Sequence, residues 1–270
     1  MNLAISNIAW DRADDEAVYT AMQQAGFTGL EIAPTRIFPP QGDPSDPDTY
    51  VGPYDNLSAA ALFGGYLLNR WGFTVPSMQS IWYGQTGNIF EPADTEALLD
   101  YTAQAFQFAH TLNCPSLVFG CPRNRSCNPP HTPAEADAFF DHAGSLAERY
   151  GVVLAIEANP PVYTNYLNGT ADAFALVKRL QNPGLAVNLD LSTILSNGEK
   201  LRDFVEDIGY VSHIHISEPD LAPIRKRPEH AELAMLLKAV GYRGYVSVEM
   251  RRTTLDTVRR TLTYIAEVFA

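Results

Sequence analysis

Residues 240–249 read VGYRGYVSVE. This segment has the order expected for the end of a helix, a glycine stop, a short turn and a buried β-strand that finishes in a glutamate. The same order occurs near the other end of the chain, where residues 25–31 read AGFTGLE. A helix-then-strand unit that recurs in this way is typical of parallel strands connected by helices.

Eight segments are predicted to be strands: residues 3–8, 29–33, 73–79, 116–120, 152–157, 185–190, 210–216 and 245–249. Between them the apolar residues follow the helical period, most clearly over residues 14–25, 98–112 and 255–269. Eight strands in 270 residues give about 34 residues per unit, which suits a (β/α)8 barrel. We therefore predict an α/β fold, a single (β/α)8 TIM barrel over residues 1–270. The rival is an open doubly wound sheet, but no predicted strand is followed by a glycine-rich phosphate motif.

A proline-rich loop at residues 34–56 follows the second predicted strand and contains six prolines. It is too polar for the core and too rich in proline for a helix. We interpret it as a lid or wall of the active-site face, and the alternative is a disordered insertion. Its aromatic residues point to a possible homodimer.

The composition limits the class of protein. A hydrophobic fraction of 46% with a charged fraction of 19% is typical of a folded protein with a large core. The formal net charge of −12 argues against nucleic acid as a partner. Three cysteines are too few for a disulfide framework, no apolar run is long enough to span a membrane, and the N-terminus lacks the basic start of a signal peptide. We expect a cytoplasmic protein with no membrane contact.

The predicted strands end in polar side chains, at the face where barrels hold their active sites. These residues are Glu31, Gln79, Glu157, Asp190, His213, His215 and Glu249. Four of them fall on successive predicted strands at separations of 33, 25 and 34 residues, namely Glu157, Asp190, His215 and Glu249. A carboxylate at the end of an apolar strand is costly unless it is paired or coordinated. Any single one could be a salt bridge or a helix cap, but the set of four predicts a site for one divalent metal ion, Mn, Co, Mg or Zn.

His213 and His215 are two residues apart, so their side chains lie on the same face of the strand. His215 is nearer the strand end and is the better metal ligand. His213 is either a substrate contact, a support for the site or a histidine satisfied within the core.

Four motifs resemble the xylose-isomerase-like barrel superfamily, which holds sugar phosphate isomerases/epimerases, ketose 3-epimerases, inosose dehydratases and endonuclease IV. They are IEANP at residues 156–160, NLD at 188–190, HIHISEP at 213–219 and GYRGYVSVE at 241–249. The resemblance covers the whole chain in element order. It implies that Glu157 and Glu249 are catalytic, one taking a proton next to a substrate carbonyl and the other returning one on the opposite face. It also implies that the metal held by the four predicted ligands stabilises the enediolate.

Three positions depart from the ketose 3-epimerases. Those enzymes carry a substrate-binding histidine three residues after the aspartate ligand, where this chain has Thr193. They carry an arginine six residues after the histidine ligand and a glutamate six residues after the first glutamate ligand, where this chain has Leu221 and Tyr163. The metal-binding set therefore matches while the substrate-binding set differs.

Other residues at the same face are predicted to bind the substrate. Arginines there could hold a phosphate or carboxylate, and aromatic faces could stack on a sugar, although solvation and packing are the alternatives. The predicted substrate-binding residues are His213, Gln79, Glu31, Trp10, Arg123, Arg251 and His230.

The predicted function is that of a metal-dependent isomerase or epimerase of a small carbohydrate, a sugar or a sugar phosphate. The alternatives are a dehydratase of a keto-inositol or keto-sugar and an inactive sugar-binding barrel. The net charge and the single pair of clustered histidines, His213 and His215, argue against an endonuclease.

Overall fold

Seven parallel strands form the centre of the molecule in the computed structural model, which describes residues 1–43 and 49–269. Their bounds are β1 Asn2–Ser6, β2 Gly29–Glu31, β3 Ser116–Phe119, β4 Val153–Glu157, β5 Leu185–Asp190, β6 Val211–Ser217 and β7 Tyr245–Glu249. The order across the sheet is β2-β1-β7-β6-β5-β4-β3, and every neighbouring pair is parallel. Seven of the eight predicted strands are thus confirmed.

The remaining predicted strand, residues 73–79, forms isolated bridges that join the two edges of the sheet. Thr74 pairs with Gly29 of β2, and Met78 pairs with both Ile32 and Leu117. The Met78 N–H donates to the carbonyl of Ser116 at 3.0 Å, which ties this segment to β3. Pro76 interrupts the segment because it has no N–H to donate to a ladder. The segment nevertheless closes the curled sheet, and the fold is the predicted α/β TIM barrel.

Helices follow the strands around the barrel. Their bounds are α1 Asp15–Gln24, α2 Pro34–Ile37, α3 Leu57–Tyr66, α4 Pro92–Thr111, α5 Ala136–Arg149, α6 Thr170–Leu180, α7 Leu191–Asn197, α8 Pro228–Ala239 and α9 Leu255–Phe269. The predicted apolar stripes face the core, as Ala105 in α4 and Ile265 in α9 are completely buried. Gly26 ends the first of these helices with a φ of +78°, the left-handed conformation that glycine tolerates. No helix in the described ranges is both long enough and apolar enough to cross a membrane.

The described parts of the proline-rich loop at residues 34–56 contain a short helix and a backbone bridge. The expectation that it holds no helix is wrong, because α2 begins at Pro34, a position where the missing N–H costs nothing. Gln41 and Val51 then exchange two backbone hydrogen bonds of 2.9 Å. Tyr54 is buried and donates its hydroxyl to the carbonyl of Ile81 at 2.7 Å. Two of its prolines, at residues 44 and 47, lie outside the described residues.

Candidate active site

A cavity of about 380 Å³ opens where β4, β5 and β7 end. Three of the predicted metal ligands line it, namely Glu157, Asp190 and Glu249. The rest of the lining is Pro122, Asn159, Pro160, Tyr163, Ser192, Thr193, Asp220 and Leu221. The predicted active-site face therefore carries a recess of the size that small ligands occupy.

The predicted ligands converge on the ring of His215. Glu157, Asp190 and His215 each offer one ligand atom, and these atoms lie within 4.8 Å of one another. The Nδ1 of His215 is 3.2 Å from Oε2 of Glu157 and 3.3 Å from Oε2 of Glu249. Parallel pairing explains the convergence, because Asp190 lies beside His215 in register and Glu249 lies beside the residue two positions further along β6.

Amide side chains hold the carboxylate of Glu157. The Nδ2 of Asn188 donates to Oε2 at 2.6 Å, and the Nδ2 of Asn159 donates to Oε1 at 3.0 Å. Gly120 faces the same carboxylate, and a Cβ at that position would lie 2.9 Å from Oε1. A side chain at position 120 would therefore displace Glu157.

Hydroxyl and backbone groups hold the carboxylate of Asp190. Both the N–H and the hydroxyl of Thr193 donate to Oδ2 at 2.9 Å, and Ser217 donates its hydroxyl to Oδ1. Asp190 is at the same time the N-cap of α7, which fixes it where the strand turns into the helix. Thr193 thus supports the site at a position where the resembling epimerases carry a histidine.

Behind His215 lies a second buried group. Glu31 and His215 are completely buried and His213 is 1% exposed. Oε2 of Glu31 is 2.6 Å from Nε2 of His213, and Oε1 is 3.0 Å from Nε2 of His215. Two predicted substrate contacts, Glu31 and His213, therefore lie behind the His215 ring, where Glu31 fixes the ring so that Nδ1 faces the cavity.

The cluster is short of positive charge. Burial raises the pKa of Asp190, with a further rise from Glu157, and burial also raises the pKa of Glu249. Burial lowers the pKa of His215, but Glu31 and Glu249 outweigh it and raise that pKa well above its ordinary value. Burial raises the pKa of Glu31, but His215 and the neighbouring histidine outweigh it and hold that pKa below its usual range. Crowded carboxylates around one imidazole fit a divalent cation, both in charge and in the hardness of the donors.

Arg125 follows the predicted strand at residues 116–120 and is one of the arginines expected to hold a phosphate or carboxylate, but the structure buries it outside the cavity lining. Its side chain is completely buried, and its Nη2 donates to Oδ1 of Asn159 at 2.8 Å. Its Nε and Nη1 have no hydrogen-bond partner among the described residues. Asn159 therefore links the guanidinium to the Glu157 carboxylate by hydrogen bonds. Burial lowers the pKa of Arg125 to about 10.

Residues 19–268 match the family described as xylose isomerase-like TIM barrel. The chain belongs to this family. Similar solved structures include 3-keto-D-glucoside 4-epimerase from E. coli, with a TM-score of 0.74, 17% identity and 99% of each chain covered. D-psicose 3-epimerase from Clostridium cellulolyticum H10 has a TM-score of 0.74 at 15% identity, covering 100% of this chain and 96% of that one. An AP endonuclease, family 2, from Brucella melitensis has a TM-score of 0.71 at 20% identity, with 99% of each chain covered. A comparison with curated proteins gave no match.

Three other predicted substrate contacts of this xylose isomerase-like barrel are not among the residues that line the cavity. Gln79 is buried and donates to the hydroxyl of Ser6 at 3.2 Å. Arg123 lines a neighbouring cavity of about 720 Å³, which shares Pro122 with the first. Arg251 is exposed, and its backbone N–H donates to the carbonyl of Leu221 at 2.7 Å.

Trp10 and His230 are held inside the protein. Trp10 is completely buried, and its Nε1 donates to Asp15 at 2.8 Å. His230 is also completely buried, with Nδ1 3.0 Å from the hydroxyl of Tyr264. His230 therefore contacts α9, and the structure does not bring it to the cavity lining.

Proposed function

We propose that this protein is a metal-dependent isomerase or epimerase of a sugar, which moves a proton at a carbon next to a carbonyl. The observation that carries the proposal is the pair of glutamates at one cavity, because Glu157 and Glu249 both approach Nδ1 of His215, at 3.2 and 3.3 Å. Two carboxylates that flank one bound carbon are the groups needed to remove a proton from it and to return one. The structural similarity to a 3-keto-D-glucoside 4-epimerase and a D-psicose 3-epimerase supports keto-sugar chemistry.

The residues that would hold the metal are Glu157, Asp190, His215 through Nδ1, and Glu249. A divalent cation there would polarise a substrate carbonyl and stabilise the negative charge that develops on its oxygen. Glu31 would accept the hydrogen of Nε2 and keep His215 in the tautomer with a lone pair on Nδ1.

The two glutamates are held differently. Glu157 accepts hydrogen bonds from Asn188 and Asn159, which fix both of its oxygens. Burial raises the pKa of Glu249, which is the direction that favours a carboxyl able to carry a proton during the reaction. Asp190 accepts three hydrogen bonds and serves to hold the site rather than to transfer a proton.

Solvent deuterium exchange tests the proposal. Protein reconstituted with Mn²⁺ would be incubated in D₂O with a panel of 2-keto and 3-keto sugars and their phosphate esters. We expect deuterium at a carbon next to the carbonyl together with an isomer or epimer of unchanged skeleton. Loss of one water from the product would instead assign the dehydratase reaction.

The active-site variants are Glu157→Gln and Glu249→Gln, and their matched control is Glu148→Gln. The first two keep the shape of the side chain but remove the proton acceptor, and we expect each to lower the exchange rate at least about 100-fold. Glu148 is exposed near the end of α5, so its variant should exchange at the parent rate. Unchanged exchange in both active-site variants would contradict the proposal.

A further inference from the structure

Two residues from neighbouring loops meet over the cavity. Tyr163 follows β4 and Asp220 follows β6, and both line the cavity. The Tyr163 hydroxyl donates to Oδ1 of Asp220 at 2.9 Å. Neither residue belongs to the metal-binding or proton-transfer set, and the second oxygen of Asp220 is left to accept from another donor.

Two consecutive residues of this loop have left-handed backbone conformations. Asp220 has φ +59° and Leu221 has φ +51°, a region that aspartate tolerates but that leucine disfavours. Such a conformation persists only where the surrounding structure enforces it, and it is enriched at functional sites. The Arg251 N–H, which donates to the Leu221 carbonyl at 2.7 Å, ties the segment to the end of β7.

A buried ion pair holds the start of the same loop. Glu218 is 1% exposed, and Nε of Arg227 donates to both of its oxygens at 2.8 and 2.9 Å. The backbone N–H of Arg225 donates to the same carboxylate at 3.1 Å. Asp220 lies two residues further on. Its position is therefore fixed by the ion pair at the start of the loop as well as by its own contact with Tyr163.

The cavity lining is anionic. It contains four carboxylates, Glu157, Asp190, Asp220 and Glu249, and among the residues that the structure describes no lysine or arginine lines it. The undescribed residues, PSDPD at 44–48 and the alanine at 270, add no basic side chain. One bound divalent cation would neutralise only part of this charge. A phosphate ester would meet like charge here, whereas a sugar hydroxyl can donate a hydrogen to a carboxylate.

Two of the three basic residues in the loop after β6 make other contacts, and the third, Arg225, is exposed and is not part of the cavity lining. Arg227 pairs with Glu218, and Nζ of Lys226 lies 5.3 Å from the ring centroid of Tyr264. Arg123 lines the neighbouring cavity, which shares Pro122 with the first, and it is the one basic residue in the described lining of these two cavities. The alternative to an uncharged substrate is therefore a sugar phosphate whose phosphate group extends from the first cavity to Arg123.

We infer that the substrate is an uncharged polyhydroxy carbonyl compound, a free sugar rather than a sugar phosphate, and that Asp220 selects it by accepting a hydroxyl hydrogen. Tyr163 orients the Asp220 carboxylate for this contact. The inference rests on the proposed function and adds the substrate class to it.

The experiment compares each free keto-sugar with its own phosphate ester as a substrate of the Mn²⁺-loaded protein, by kcat/KM for deuterium exchange. We expect the free sugar to be preferred at least about tenfold. In Asp220→Asn the KM for the free sugar should rise about tenfold with a smaller change in kcat, and the preference over the ester should narrow. Tyr163→Phe should shift KM in the same direction by less. Asp100→Asn, at an exposed position of α4, is the matched control and should behave as the parent.

Each result separates the two proposals. Equal or faster turnover of the phosphate esters overturns the inference and leaves the proposed function standing, and loss of that turnover in Arg123→Gln would locate the phosphate in the neighbouring cavity. Exchange with neither class of compound overturns both. If both Asp220→Asn and Tyr163→Phe keep the parent KM and the parent preference for the free sugar over its ester, the role of Asp220 is overturned. If Asp220→Asn does not fold, Tyr163→Phe alone decides this point.

Discussion

The carboxylate of Glu31 lies 3.0 Å from Nε2 of His215, completely buried and outside the cavity lining. The other nitrogen of that ring points at the cavity carboxylates, so Glu31 sets which nitrogen is presented to a ligand. A carboxylate behind a metal-binding imidazole is a common arrangement, because it fixes the ring and increases the basicity of the ligating nitrogen.

Replacing Glu31 should therefore weaken metal binding without removing a ligand. We expect Glu31→Gln to raise the Kd for Mn²⁺ about 10- to 100-fold, measured by calorimetric titration of metal-free protein. Glu148→Gln provides the control for a change of one exposed charge. Parent affinity in the Glu31 variant, with an unchanged melting temperature, would show that the contact is structural only.

The four proposed ligands should determine the metal content. Elemental analysis of the protein after reconstitution and removal of excess ion should give about one Mn, Co, Mg or Zn per chain, as a single four-donor site predicts. We expect Glu157→Ala, Asp190→Ala and Glu249→Ala to lose most of that metal while circular dichroism remains that of the parent. Parent metal content in all three variants would place the metal elsewhere.

Asn188 should affect the reaction through Glu157. It is 2% exposed and donates to Oε2 of Glu157 at 2.6 Å, so the amide fixes the carboxylate that we propose as an acid/base group. A hydrogen bond to a charged group is worth about 1.5–3 kcal/mol, and we expect Asn188→Ala to lower kcat about 10- to 100-fold. The split between kcat and KM gives the second measurement, because loss of a contact that positions Glu157 should lower kcat more than it changes KM. A kcat that stays at the parent value, or a change confined to KM, would contradict this role.

Strand ends could be predicted from the sequence because each apolar run finishes in a polar residue, and this placed Glu157, Asp190 and Glu249 at one face. Residues 73–79 differ from the prediction because an apolar run alone does not reveal how one proline breaks the ladder. The place of Glu31 behind His215 could not be predicted, since the two residues are 184 positions apart and meet only when the barrel closes. The period of two along a strand would have identified Asn188 and Ser217, which lie two residues from Asp190 and His215.

The Glu218–Arg227 pair gives a prediction about stability and pH. Burial raises the pKa of Glu218, but the hydrogen bonds from Arg227 outweigh it and hold that pKa below its ordinary value. A carboxyl whose pKa is lower in the folded than in the unfolded state stabilises the fold above its unfolded pKa of about 4.3, and this stabilisation is lost as the pH falls through the folded value. We expect Glu218→Gln to lower the free energy of unfolding by about 1–3 kcal/mol at neutral pH, and the difference from the parent should shrink towards pH ~3. Urea denaturation at several pH values measures this difference in the free energy of unfolding.

Asp256→Asn is the control. Asp256 pairs with Arg260 at the surface, where both side chains are more than 70% exposed, so this substitution should change the free energy of unfolding by less than about 0.5 kcal/mol. A difference for Glu218→Gln that stays constant with pH would show that the pair contributes through packing rather than through charge.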